Sequence, residues 1–177
     1  MMPLLPALLV LAQGLPAVPP STPSSALAPQ AALAPCRAAQ LRLLPQDRDG
    51  DLDGMSHAGT GFVLVNRGAA CRLPALPQVV LRDARGRALP AARKAPVGMH
   101  PGPVMVLLRL EQGARAQGTL RWVSGPVYDG SRKLVAARLS VGIGKAWVSM
   151  PLHVTLYAPA DQGASLDQPP LQLAGQP

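Results

Sequence analysis

Gly59-Thr60-Gly61-Phe62-Val63-Leu64-Val65-Asn66-Arg67-Gly68-Ala69-Ala70-Cys71 is the stretch on which the reading of the whole chain turns. Phe62 to Val65 are apolar at both parities of a strand, which predicts a segment buried on both faces. Asn66-Arg67-Gly68 follows directly. Asn and Gly tolerate positive φ, so a reversal of the chain is expected there. Cys71 then offers a covalent anchor. Together these residues predict a central strand of an extracytoplasmic β-sandwich.

Working outward, Gln40–Leu44 reads as the preceding strand. Downstream, Val79 and Leu81 alternate with polar neighbours in Gln78–Arg82, and Asp83-Ala84-Arg85-Gly86 has the chemistry of a type I turn closed by a left-handed glycine. Ala88–Lys94 is expected as a weak edge strand, and Val104–Leu110 as an apolar one. From Arg115 to Trp122 the alternation is strict over eight residues, with Arg115, Gln117, Thr119 and Arg121 on one face and Ala116, Gly118, Leu120 and Trp122 on the other. That is a period of two and excludes an amphipathic helix. In Lys133–Val141 the residues Val135, Ala137, Leu139 and Val141 share a face. Leu152–Tyr157 closes the domain with Leu152, Val154 and Leu156 inward and His153, Thr155 and Tyr157 outward. About seven short strands separated by turns predict an all-β, immunoglobulin-like antiparallel sandwich over residues 36–159.

The ends read differently. Leu4–Ala12 is apolar but too short to span a bilayer, and fits the core of a signal peptide. Cleavage is expected after Ala17 or Ala26, giving a signal segment 1–26 and a Pro/Ala-rich disordered spacer 27–35. Pro35 before Cys36 argues against lipidation there. Residues 160–177, polar and Pro-rich, are expected to form a disordered tail. No transmembrane span is expected in the mature chain, which should be exported and periplasmic or secreted.

Composition supports this picture. Twenty-one prolines and 17 glycines among 177 residues favour turns over long helices. Aromatics are confined to Phe62, Trp122, Trp147, Tyr128 and Tyr157, so the core must be built from Val, Leu and Ala. Cys36 and Cys71 are the only cysteines, most simply one disulfide closing a 36-residue loop (71 − 36 + 1), worth roughly 3–4 kcal/mol by chain entropy. Their spacing is far from C-x-x-C and neither has a nearby histidine, which speaks against a redox or metal pair.

The formal net charge is +8, with 14 arginines against three lysines. Four of the nine acids cluster at Asp47, Asp49, Asp51 and Asp53, leaving five acids elsewhere against the 17 bases of the chain, of which only Arg48 lies within the cluster. Such a surface attracts anionic partners. The bases are dispersed with no run of five, so nucleic acid is not the expected one.

Two motifs carry candidate metal chemistry. Asp49-Gly50-Asp51-Leu52-Asp53-Gly54 has the D-x-D-x-D-G spacing in which alternate carboxylates converge on Ca²⁺, with Asp47 extending the set. The twelfth loop position is Thr60, where an EF-hand requires glutamate, so a calcium ion here would brace a loop. Each histidine also has a methionine nearby: Met55 with His57, Met99 with His100, and Met150 with His153. Thioether and imidazole together favour copper(I). Met55, His57, Met99, His100 and His153 are therefore the candidate copper ligands. Enzyme signatures are absent: there is no G-x-S-x-G elbow, and Gly142-Ile143-Gly144-Lys145 lacks the rest of a phosphate loop.

The order of these motifs carries a resemblance. A cysteine precedes the first strand. Then come G-T-G-F-V-L-V-N-R-G-A-A-C-R-L, V-V-L-R-D-A-R-G-R-A-L, L-E-Q-G-A-R-A-Q-G-T-L-R-W, L-V-A-A-R-L-S-V and L-H-V-T-L-Y. From about Cys36 to Pro159 the chain resembles the secreted β-sandwich family of domain of unknown function 4232. The resemblance implies an exported domain and no established activity. The function expected is that of a non-catalytic cell-envelope binding or structural module. Its partner would be a protein, a glycan or an anionic component met through Arg115, Arg121 and Arg138. The competing expectations are a periplasmic copper carrier and a calcium-braced adhesion-type module.

Overall fold

Alternating apolar residues and glycine turns organise eleven strands among the residues that the computed structural model describes, 33–46, 52–94 and 106–175. In chain order they are β1 (Leu41–Gln46), β2 (His57–Asn66), β3 (Cys71–Pro74), β4 (Val79–Arg82), β5 (Ala91–Arg93), β6 (Leu107–Leu110), β7 (Arg115–Val123), β8 (Arg132–Ile143), β9 (Ala146–Ala158), β10 (Ala164–Asp167) and β11 (Gln172–Leu173). The predicted signal segment and spacer up to residue 32 lie outside the described residues, as do 47–51 and 95–105. No helix among the described residues is long and apolar enough to cross a membrane.

The larger sheet runs β1-β2-β7-β10-β5, with β11 also on β7; a second runs β4-β8-β9; β3 and β6 form a ribbon. With β1, β2 and β7 as A, B and E, and β4, β8 and β9 as C, F and G, this is the strand order of an immunoglobulin sandwich. The two sheets share one apolar core. β2 is central, as its sequence predicts: Phe62, Val63 and Leu64 are all buried. On β7 the small inner residues matter most. A methyl group on Gly118 would fall 2.4 Å from the Phe62 ring and 2.6 Å from Leu171, so only glycine lets both side chains pack there. Trp122, from the same inner face, donates its indole N–H to the Thr155 carbonyl on β9 at 3.1 Å, joining the two sheets.

Three expectations are corrected. First, the strand is not reversed by positive φ at Asn66-Arg67-Gly68, since none of these residues has it. Gly68 is needed because a methyl group there would lie 2.8 Å from Gln40 Cβ. Second, Val135 and Ala137 do not share the inward face of Leu139 and Val141. An irregularity between Ala136 and Arg138 shifts the register against β9. It sends Ala136 inward and leaves Val135 55% exposed.

Third, residues 160–177 are not simply a tail. β10 inserts between β7 and β5, antiparallel to the former and parallel to the latter. Ala164, Leu166 and Leu171 are buried, and the Leu171 amide donates to the Ala75 carbonyl. The alternation Ala164-Ser165-Leu166-Asp167 is a strand signal, short enough to be masked by the polar residues around it. The remaining additions, β3 and β11, are four and two residues long.

This packing sets the stability of the domain. Gly118→Ala should cost about 1–3 kcal/mol through overpacking. Leu171→Ala should cost about 2–4 kcal/mol by emptying the site beside it. Urea unfolding of the two variants measures both. A Leu171→Ala midpoint equal to that of the parent would show that the C-terminal segment contributes nothing to the core.

Candidate functional site

The outer face of the β4-β8-β9 sheet gathers polar and aromatic groups because two glycines and one register fix where they stand. Gly144, at φ 60°, makes the tight β8–β9 hairpin. From there Trp147 pairs with Gly142, Ser149 with Ser140, and Pro151 with Arg138. On the other side of β8, Val80 pairs with Ser140 and Arg82 with Arg138. Gly142 has no side chain, and the Trp147 ring occupies that space, 3.3 Å from where a methyl group would be. The Arg82 guanidinium lies over this ring, 5.7 Å from its centroid, and donates from Nη1 to the Gly86 carbonyl at 3.1 Å. Trp147 remains 40% exposed. Ser140 and Ser149 share a hydroxyl–hydroxyl hydrogen bond of 2.8 Å between the strands.

Past the β8–β9 irregularity, the same face ends in an open depression of about 530 Å³ lined by Asp83, Arg85, Val135, His153 and Thr155 among others. Asp83 commits both carboxylate oxygens to its own turn. Oδ1 accepts from the Arg85 and Arg87 amides, and Oδ2 from the Arg87 guanidinium, each at 2.9 Å. Gly86, at φ 79°, closes that turn, as the sequence predicts. The carboxylate is therefore already engaged and is not held ready to orient His153. A second open depression, about 460 Å³, lies between the edges of β1 and β9.

The residues singled out from sequence are dispersed. Cys36 and Cys71 form the predicted disulfide. Asp47, Asp49 and Asp51 lie outside the described residues; Asp53 is exposed, in a loop whose Leu52 carbonyl accepts a hydrogen bond from Arg121 Nε at 3.2 Å. Arg121, expected to meet a partner, thus ties down the end of that loop. Arg115 is exposed on the same outer face of β7, whereas Arg138 stands on the outer face of the other sheet. Met55 is 96% exposed, and its carbonyl accepts from His57 Nδ1 at 3.0 Å. His57 opens β2 and His153 lies on β9, in different sheets; Met99 and His100 are outside the described residues. Among the described residues no three His, Cys, Asp or Glu groups converge.

Sequence reading missed Trp147 and Arg82. The signal was present. Trp147 has the same parity as His153, Thr155 and Tyr157, which are expected to face outward, and extending β9 back to the hairpin carries that parity to it.

The Asp83 turn gives a pH-dependent readout. Burial works to raise the Asp83 pKa; the Arg87 amide, the Arg87 guanidinium by hydrogen bond and by charge, and the Arg85 amide work the other way and prevail, holding it below the ordinary 3.8. A lowered carboxylate pKa contributes stability that is present above the unfolded value and lost as pH falls through the folded one. The Arg85 and Arg87 amide resonances should therefore titrate with a midpoint below 3.8, and Asp83→Asn should remove the transition. A midpoint at or above the ordinary value would contradict this account of the turn.

No curated protein and no solved structure matches the chain. A family model does, over residues 36–175, reaching through β10 and β11 to the end of the described residues. The chain belongs to the family described as domain of unknown function (DUF4232).

Proposed function

We propose that the protein is a non-catalytic, exported module of the cell envelope that binds a partner through the outer face of the β4-β8-β9 sheet. The observation carrying this reading is Trp147. The chain has two tryptophans; one is buried in the core, and the other is half-exposed over Gly142 beside Arg82. Tryptophan and arginine are the residues most enriched where binding energy concentrates. What sets Trp147 apart from the other exposed apolar side chains is the guanidinium at its ring, which puts an aromatic surface and a cation together on one sheet face.

Export is supported by the apolar run Leu4–Ala12 and by the disulfide, a bond that persists in oxidising compartments. The non-catalytic reading is supported by the engaged Asp83 carboxylate and by the openness of both depressions beside the sheet.

Expression of the full chain in a bacterial host, followed by fractionation and mass spectrometry, tests this. The exported fraction should contain a shortened, disulfide-bonded chain that sediments with washed envelopes. Trp147→Ala should weaken that association by about tenfold or more. A full-length, reduced chain confined to the cytoplasm, or sedimentation indifferent to Trp147, would contradict the proposal.

A further inference from the structure

Arg82 and Arg138 are partners in register across β4 and β8, so two guanidinium groups project from adjacent positions of one sheet face. Like charges placed directly opposite each other destabilise a sheet. The ribbon has the same arrangement, Arg72 opposite Arg109, but there Glu111 pairs with Arg109. The other ion pair among the described residues, Arg87 with Asp83, lies in the turn. On the opposite outer face, Arg42 and Arg115 are held apart by Val65. The pair Arg82–Arg138 thus stands out: two cations at paired positions of one face, no carboxylate paired with either among the described residues, and the exposed Trp147 ring beside the Arg82 guanidinium.

Resting on the binding-module reading, we propose that this face binds an anionic glycan, a sugar chain bearing carboxylate or phosphate groups. The planar guanidinium fork matches either anion in a bidentate manner, and such a group would relieve the repulsion between the two arginines. The exposed part of the Trp147 ring, which is not shielded by Gly142 and Arg82, supplies apolar surface for the C–H groups of a sugar. Ser149, exposed in the same row, supplies a hydroxyl for sugar hydroxyls. A protein partner would call for a contiguous apolar patch at the centre of the contact. The Arg82 guanidinium lies over the Trp147 ring, and the outward positions between Trp147 and Arg138 are Ser149, Ser140, Val80 and Pro151. Two serines and two arginines thus interrupt any contiguous apolar patch and suit a hydroxylated, charged ligand.

Calorimetric titration of the full chain with alginate oligosaccharides, phosphomannan, dextran and poly-glutamate tests this. Alginate or phosphomannan should bind, and dextran should not. Arg138→Gln should weaken binding by about tenfold or more, the scale of a hydrogen bond to a charged group, and Trp147→Ala should do the same. Arg115→Gln should leave it unchanged. Arg138 makes no side-chain hydrogen bond or ion pair among the described residues, so its variant should keep the parent unfolding midpoint. Poly-glutamate binding as tightly as alginate would overturn the glycan assignment in favour of an acidic peptide. Loss of binding in Arg115→Gln alone would move the site to the other face while leaving the module reading intact. If none of the four probes binds while the chain still sediments with envelopes, this assignment fails by itself; if envelope association is also lost, both fail.

Discussion

The side-chain amide of Asn66, fully buried at the end of β2, holds together the segments on which the sandwich is assembled. The two hydrogens of its Nδ2 serve the carbonyls of Ala69, Leu110 and Glu111, one of them shared between two acceptors, and its Oδ1 accepts from Gln40 Nε2 and the Gly68 amide. The Asn66 amide donates to the Ala114 carbonyl, and its own carbonyl accepts from Gly113. One residue thereby joins the turn before β1, the end of β2, the approach to β3 and the connection from β6 to β7. A buried amide left without partners would cost about 1–3 kcal/mol. Here every polar atom of the side chain is used, and no other residue type offers two donors and an acceptor in that shape. The disulfide lies five residues further on, and backbone hydrogen bonds between residues 34–36 and Arg72 pin the same corner.

That corner explains which parts of the fold were legible in the sequence. Burial of β2, alternation in β7 and the Asp83 turn depend on neighbours close in sequence or on strand periodicity, and the residues carry those signals openly. The role of Asn66 does not: asparagine before a glycine has the chemistry of a turn, and only the arrival of Gln40 and Leu110 from distant segments turns it into a buried hub. The face change in β8 has the same origin, since an irregularity is a property of a pair of strands. The docking of Leu171 required knowing that Gly118 leaves room for it, a contact between residues 53 positions apart (171 − 118).

The proposed binding surface is legible in the sequence in kind more than in place. Excess arginine pointed to an anionic partner, but the arginines named from sequence stand on two opposite outer faces, and Arg121 is engaged with the Leu52 carbonyl. The described histidines of the copper set are likewise split between sheets. What register brings together is Arg82, Arg138 and Trp147, residues drawn from three strands and 65 positions of sequence (147 − 82). The fold fixes the separation of roles. Asn66, the disulfide and Gly118 serve the corner and the larger sheet, while on the outer face of the smaller sheet Arg138 makes no side-chain hydrogen bond among the described residues and Arg82 is held only by the Gly86 carbonyl and the Trp147 ring.

The two tryptophans offer the most direct test of this division. In a two-dimensional NMR titration with an alginate oligosaccharide, each indole N–H gives its own resonance. The Trp147 resonance should move progressively with ligand, together with the amides of residues 80–82 and 138–140. The Trp122 resonance, locked to the Thr155 carbonyl in the core, should stay in place. An unmoved Trp147 resonance, with shifts gathered instead around Arg42 and Arg115, would contradict the assignment of binding to the β4-β8-β9 face.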